Sequence, residues 1–151
     1  IEAVSEGDFS SSNNATKLSF KTGASEAATE KMTLSSTGVL TANVVLGGTD
    51  TDTSNTGNVT LDFSANQNFV LTLTGNTTLV NPSTENVGQS GFIAFIQDGT
   101  GGRTITLGTD YETAGGAGIT LTTAASKTDL VPYVVVAAGR ILLGTPQRNF
   151  S

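Results

Sequence analysis

One pattern recurs between residues 58 and 143 and limits what this chain can fold into. Short runs alternate apolar and polar residues, and clusters of Gly, Asn, Asp or Thr separate the runs. In NVTLDFS, Val59, Leu61 and Phe63 point one way while Thr60, Asp62 and Ser64 point the other. NFVLTLT continues with Phe69, Leu71 and Leu73, and RTITLG with Ile105 and Leu107. ITLTT, LVPYVVV and RILLG follow. A period of two places successive side chains on opposite faces of a strand, so one face can be buried while the other meets water. FIAFIQ (92–97) is apolar on both faces, as expected of a strand in the middle of a sandwich. Strands at this spacing, with turn residues between them, predict an all-β fold, a jelly-roll-like β-sandwich over residues 58–151. Gly75-Asn76 reads as a two-residue hairpin turn. Pro132 reads as the start of its strand, where the missing N–H costs little.

The first part of the chain is sparser. IEAVSEGDFSSSNNA (1–15) is polar and reads as an entry segment. Leu18 and Phe20 then alternate with lysines and Ser19, and Met32 and Leu34 with Lys31 and Thr33. These short strands are too few to enclose a core, so residues 1–46 read as a small N-terminal β-segment for a fibre shaft or for packing between subunits. Residues 47–57 are polar throughout and read as a linker or long loop.

Composition removes several functions. The chain of 151 residues has no Cys and no His, which excludes Cys/His or Ser/His catalysis and zinc sites built on those ligands. Its net charge is -6 with no basic patch, so no nucleic-acid partner is expected. No run approaches the roughly 20 apolar residues of a membrane helix, so no membrane insertion is expected. Thr and Gly dominate, in keeping with pleated sheet and tight turns on an extracellular or particle-surface protein. The chain begins at Ile1 and its only Met is Met32, which reads as a processed chain or part of a longer one.

Three motifs carry chemistry in principle. Asp98-Gly99-Thr100-Gly101-Gly102 is rich in glycine, but a phosphate cradle needs a helix after it and here a strand follows. It reads as a hairpin turn, so no cofactor is expected. Asp50 to Asn55 places oxygen ligands at alternate positions, as a calcium loop does. Such a loop also needs Gly sixth and Glu twelfth, where Asn55 and Leu61 stand, so no metal is expected. Asp98, Asp110 and Glu112 surround one expected hairpin and supply the carboxylates a glycosidase would need. Tyr133 reads as core, and Tyr111, beside Asp110 in a loop, as the aromatic placed to stack on a sugar. Asp98, Thr100, Asp110, Tyr111 and Glu112 are thus the candidate surface-recognition residues, with no catalytic residue assigned.

LSFKTGASEAATEKMTLSSTGVLTA (18–42) resembles a segment of bacteriophage tail-fibre proteins, notably marine ones. There a strand, a Thr-Gly loop (Thr22-Gly23), a second strand (Glu30-Lys31-Met32) and Ser-Ser-x-Gly (Ser35 to Gly38) follow one another. NFVLTLTGNTTLVNPSTENVGQSGFIAFIQDGTGGRTITLG, with YVVVAAGRILLG after it, is similar to a C-terminal β-domain of phage virion proteins. The resemblance implies a non-enzymatic fibre, spike or surface-decoration module on the virion surface. It also implies a homotrimer in contact with other virion proteins and acting in assembly or host-surface attachment. A carbohydrate-binding module that recognises a host glycan is the alternative reading, and a polysaccharide-degrading enzyme a second.

Overall fold

The computed structural model describes residues Ile1–Ser151. The chain divides into two compact units, Ile1–Leu46 and Gly47–Ser151. All its regular structure is strand apart from one short 3-10 turn at Ala114–Gly116.

The first unit is an antiparallel sheet of four strands in chain order: β1 (Glu2–Ser5), β2 (Thr16–Thr22), β3 (Thr29–Leu34) and β4 (Leu40–Ala42). The segment read as a polar entry therefore contains a strand. Val4 pairs with Lys17, and Ala3 with Leu18, which gives Glu2–Ser5 an edge to join. Paired residues share a face of the sheet, so Leu18, Leu34 and Leu40 form one cross-strand row and Phe20, Met32 and Ala42 the next. The opposite face carries Lys17, Ser19 and Glu30. Lys17 Nζ lies 2.9 Å from Glu30 Oε2, and Ser19 Oγ donates to the same oxygen at 2.8 Å. Only Ser19 is buried in this unit, so its apolar face has no core of its own.

The second unit holds β5 (Thr49–Thr60), β6 (Asn68–Val80), β7 (Ser90–Gln97), β8 (Ile105–Leu107), β9 (Tyr111–Thr113), β10 (Thr128–Ala137), β11 (Arg140–Leu143) and β12 (Gln147–Phe150). One sheet runs β5-β6-β7-β10-β11-β9, with β8 also on β6 and β12 also on β10. Strands β5, β6 and β7 are parallel neighbours, and β8 continues along β6 where β7 leaves it.

That pairing forces the strands to bend. A straight β5 would be about 36 Å long. The link 61–67 must return from its end to the start of β6, beside Thr49, and reaches about 28 Å even fully extended. The link also turns on itself, with Asn66 N donating to Asp62 O at 3.1 Å. The bends fall where the ladder is interrupted: between Asp52 and Gly57 in β5, and between Leu73 and Thr77 in β6, where its partner changes from β7 to β8. Phe69, Leu71 and Leu73 before the bend and Leu79 after it belong to one buried cluster. The sheet thus wraps over its own core, giving the all-β sandwich that the alternation predicts. Phe63 lies at the centre, with ring centroids 5.0 Å from Phe69 and 5.2 Å from Tyr133. Truncating such a side chain costs about 3–5 kcal/mol, because the cavity cannot collapse fully.

Four local expectations change. Of residues 47–57, read as a linker or long loop, 49–57 are strand, since β5 pairs with β6 along its length. Gly75-Asn76 is interior to β6 and makes no hairpin. A Cβ on Gly75 would lie 2.2 Å from Thr56 Oγ1, so glycine serves close approach at the bend. Residues 98–104 are not a hairpin either, because β7 and β8 both run parallel to β6 and do not pair with each other. Pro132 stands mid-strand in β10. Its carbonyl accepts from Gly144 N, whereas Val135 bonds toward Gln89 on the β7 side. The missing N–H therefore faces Gly144, just past the end of β11, so only the return bond of that one terminal pair is absent.

Candidate functional site

The candidate residues fall at two places on the second unit. Asp98 and Thr100 lie at the bend between β7 and β8. Asp98 Oδ1 accepts from Thr100 N at 3.0 Å and Gly101 N at 2.8 Å, which closes an Asx turn. Its Oδ2 lies 2.8 Å from Arg103 Nη2. The Arg103 guanidinium, then the Gly101 amide, holds the Asp98 carboxyl below its usual value. Gly102 N donates to Thr123 O and Ser126 N to Asp98 O, tying the bend to the segment before β10. Thr100 and Gly99 remain exposed at the tip.

Tyr111 and Glu112 lie on β9 and line a groove of about 610 Å³ with β8 and residues 116–119, and Asp110 immediately precedes β9. Asp110 is held by its backbone: its N donates to Asn81 Oδ1 at 3.1 Å, and its O accepts from Ile141 N at 2.7 Å. Glu112 receives both Arg140 Nε at 2.7 Å and Arg140 Nη2 at 2.9 Å, and this pairing lowers its pKa. Residues 114–118 beside the groove are exposed.

Tyr111 is not a surface aromatic. It is 5% exposed and belongs to the core cluster beside Tyr133, as the parallel pairing of β9 with β11 puts Tyr111 opposite the buried Ile141. Its hydroxyl has no hydrogen-bond partner, and burial, then Asp110, pushes its pKa well above that of a free tyrosine. Tyr133 is core as expected, with its hydroxyl donating to Gln67 O at 2.6 Å.

The structure places Glu112 but not Asp110 on the groove, and it engages Asp98 and Glu112 with separate arginines. A carboxyl whose pKa is lowered is a poor general acid near neutral pH, since that role needs a raised value. Asp50 and Asp52 lie on β5, Asp52 Oδ1 accepting from Ser54 N at 3.1 Å, and no three acidic side chains gather to hold a metal ion.

The most consequential polar residues were not recognised as buried from the sequence. Asn55 is 1% exposed at the bend of β5, and its Nδ2 donates to Asp52 O and Thr72 O. Gln97 is buried at the bend between β7 and β8, bonded to Arg103. Asp129 is buried in β10 and accepts from the Thr122 hydroxyl and from Asn149 N, both at 2.8 Å. The available signal was their position: Gln97 and Asp129 fall in phase with the buried residues of their strands.

These groups all hold backbone bends or strand ends in place. Residues 53–140 match the family model of the putative phage tail fibre C-terminal domain. The chain belongs to this tail fibre family. The match spans most of β5 and all of β6 to β10, so most of the wrapped sheet lies within the family's domain. The protein is accordingly a phage virion fibre protein. No curated protein and no solved structure matches it.

Proposed function

We propose that this tail fibre protein is a trimeric structural module of the virion, acting in particle assembly or host-surface attachment and not in catalysis. The observation that carries the reading is the bare apolar face of the first unit. Leu18 is 41% exposed, Leu34 38% and Leu40 61%, on a sheet whose other face is polar. A sheet with one apolar face needs a partner for it, and symmetric packing against identical strands supplies one. The second unit would then offer Thr100 with its neighbours at the bend, and residues 114–118 by the groove, to a host surface or to other virion proteins.

A glycan-binding role keeps the groove beside Glu112 but loses its aromatic platform, since Tyr111 is core. Immunogold labelling with antibodies against this chain tests the proposal on intact particles. Label on tail or head fibres, with adsorption blocked by the same antibodies, is the expected result. Virions that carry no label, or a chain that depolymerises capsular polysaccharide, would overturn it.

A further inference from the structure

Strand β8 has a partner on one side only. It pairs with β6, and its other edge meets no strand. Two bonds fix which groups lie on that edge. Thr77 N donates to Thr104 O at 3.0 Å, and Gly108 N donates to Leu79 O at 2.7 Å. Main-chain groups alternate sides along a strand, so those of Thr104, Thr106 and Gly108 face β6. Those of Ile105 and Leu107 face the other way, and no group of the chain bonds to them there. The open edge thus carries two N–H donors and two C=O acceptors, in pairs about 6.6 Å apart.

The groove of about 610 Å³ runs along this edge, with residues 105–108 and 116–119 in its lining. The chain comes back past β8 here but cannot fill the ladder. Gly116 and Gly118 have φ +67° and +72°, left-handed values that a paired strand does not adopt. Gly118 N already donates to Thr113 Oγ1 at 2.8 Å. Ile105, Leu107 and Ile119 are half-buried against the core, so each leaves part of its apolar surface open to the groove. The one charged residue in the lining, Glu112, is held by Arg140.

We propose that this edge accepts an extended, uncharged segment of another virion protein, which adds to β8 as a further strand. The chemistry of the edge selects the occupant. Its row of alternating donors and acceptors is matched by another extended main chain, and addition to a sheet edge is a general mode of peptide recognition. Apolar side chains at alternate positions of the segment would meet Ile105, Leu107 and Ile119. With Glu112 already paired, the groove has no free charge to receive a charged segment, which would be desolvated without compensation. A nucleic acid would likewise find no free cation in the lining. The inference rests on the assembly reading above and names where, and by which groups, a neighbouring virion protein is held.

Amide hydrogen exchange at single-residue resolution, on the full chain alone and on intact virions, tests this. In the isolated chain Ile105 and Leu107 should exchange fast, while Thr106 and Gly108, bonded to β6, exchange slowly. On virions Ile105 and Leu107 should slow at least about tenfold, the change expected when an open amide gains a ladder bond. Val87, exposed and unbonded in the loop before β7, is the control and should not change. Ile105→Pro deletes a donor that faces away from β6, so the isolated variant should keep the circular dichroism of the sheet. On virions it should speed exchange at Leu107 several-fold. Fast exchange of both amides on virions that carry the chain would overturn this inference and leave the assembly reading standing. Slow exchange already in the isolated chain would mean that the chain or a copy of it covers the edge, and would also overturn it. So would exchange at Leu107 that Ile105→Pro leaves as slow as in wild type. Virions that lack the chain would overturn both readings.

Discussion

Gln97 grips the backbone of Arg103 by both its N–H and its carbonyl. The side-chain Nε2 donates to Arg103 O at 2.9 Å, and Oε1 accepts from Arg103 N at 2.9 Å. The amide acts as a local ladder partner where β7 has ended and β8 has not begun. Gln97→Leu keeps the bulk but strands both backbone groups, each worth about 1–3 kcal/mol when left unsatisfied away from water. The urea midpoint should fall with an unchanged slope. A midpoint within error of wild type would show that the bend holds without Gln97.

The two buried tyrosines should respond oppositely to loss of their hydroxyls. Tyr133→Phe removes the bond to Gln67 O and should destabilise by about 1 kcal/mol. Tyr111→Phe removes an oxygen that has no partner, so stability should stay the same or rise. Thermal unfolding of both variants checks the contrast. A large loss in Tyr111→Phe would mean that its hydroxyl is engaged after all.

Gly101 has φ +73°, and a Cβ there would lie 2.5 Å from Thr123 O. Gly101→Ala therefore meets both left-handed backbone and a clash with a main-chain atom that has little room to yield. A loss of about 1–3 kcal/mol is expected, within the usual cost of such strain. Gly99→Ala is the control, since no atom lies within 4 Å of an added Cβ.

Acid should loosen the same bend. The Asp98 carboxyl has a folded pKa below its ordinary value, chiefly through Arg103. A depressed carboxyl stabilises the fold above its unfolded value, about 3.9, and that contribution is lost as pH falls through the folded value. Between neutral pH and about 5 the ion pair should leave melting temperature flat. Below about 4 wild type should fall more steeply than Asp98→Asn, which has no proton to take up. Parallel curves through the acid range would contradict this.

Where a strand buries one face, the sequence was legible. The alternation at Phe69, Leu71 and Leu73, and at Ile141 and Leu143, appears unchanged in the core. β5 was not legible, because it lies at the sheet edge and most of its side chains are exposed. TDTDTSNTGNVT thus carries little apolar signal until Val59, and its strand character comes from β6 beside it. The Gly75-Asn76 pair misled for a related reason. A glycine needed for close approach looks, in sequence, like one needed for positive φ. At the candidate site, Asp98, Thr100, Asp110 and Glu112 were placed in loops or strand ends near the surface. Tyr111 was misassigned because its burial depends on the non-local pairing of β9 with β11, which no short window contains.

Light scattering of the purified chain after size exclusion tests the central proposal most directly. Three chains of 15.3 kDa would give a mass of about 46 kDa, and this is the predicted result. A mass of one chain at all concentrations, with the sheet folded, would mean that the bare face of Leu18, Leu34 and Leu40 finds no copy to cover it. That result would contradict the account.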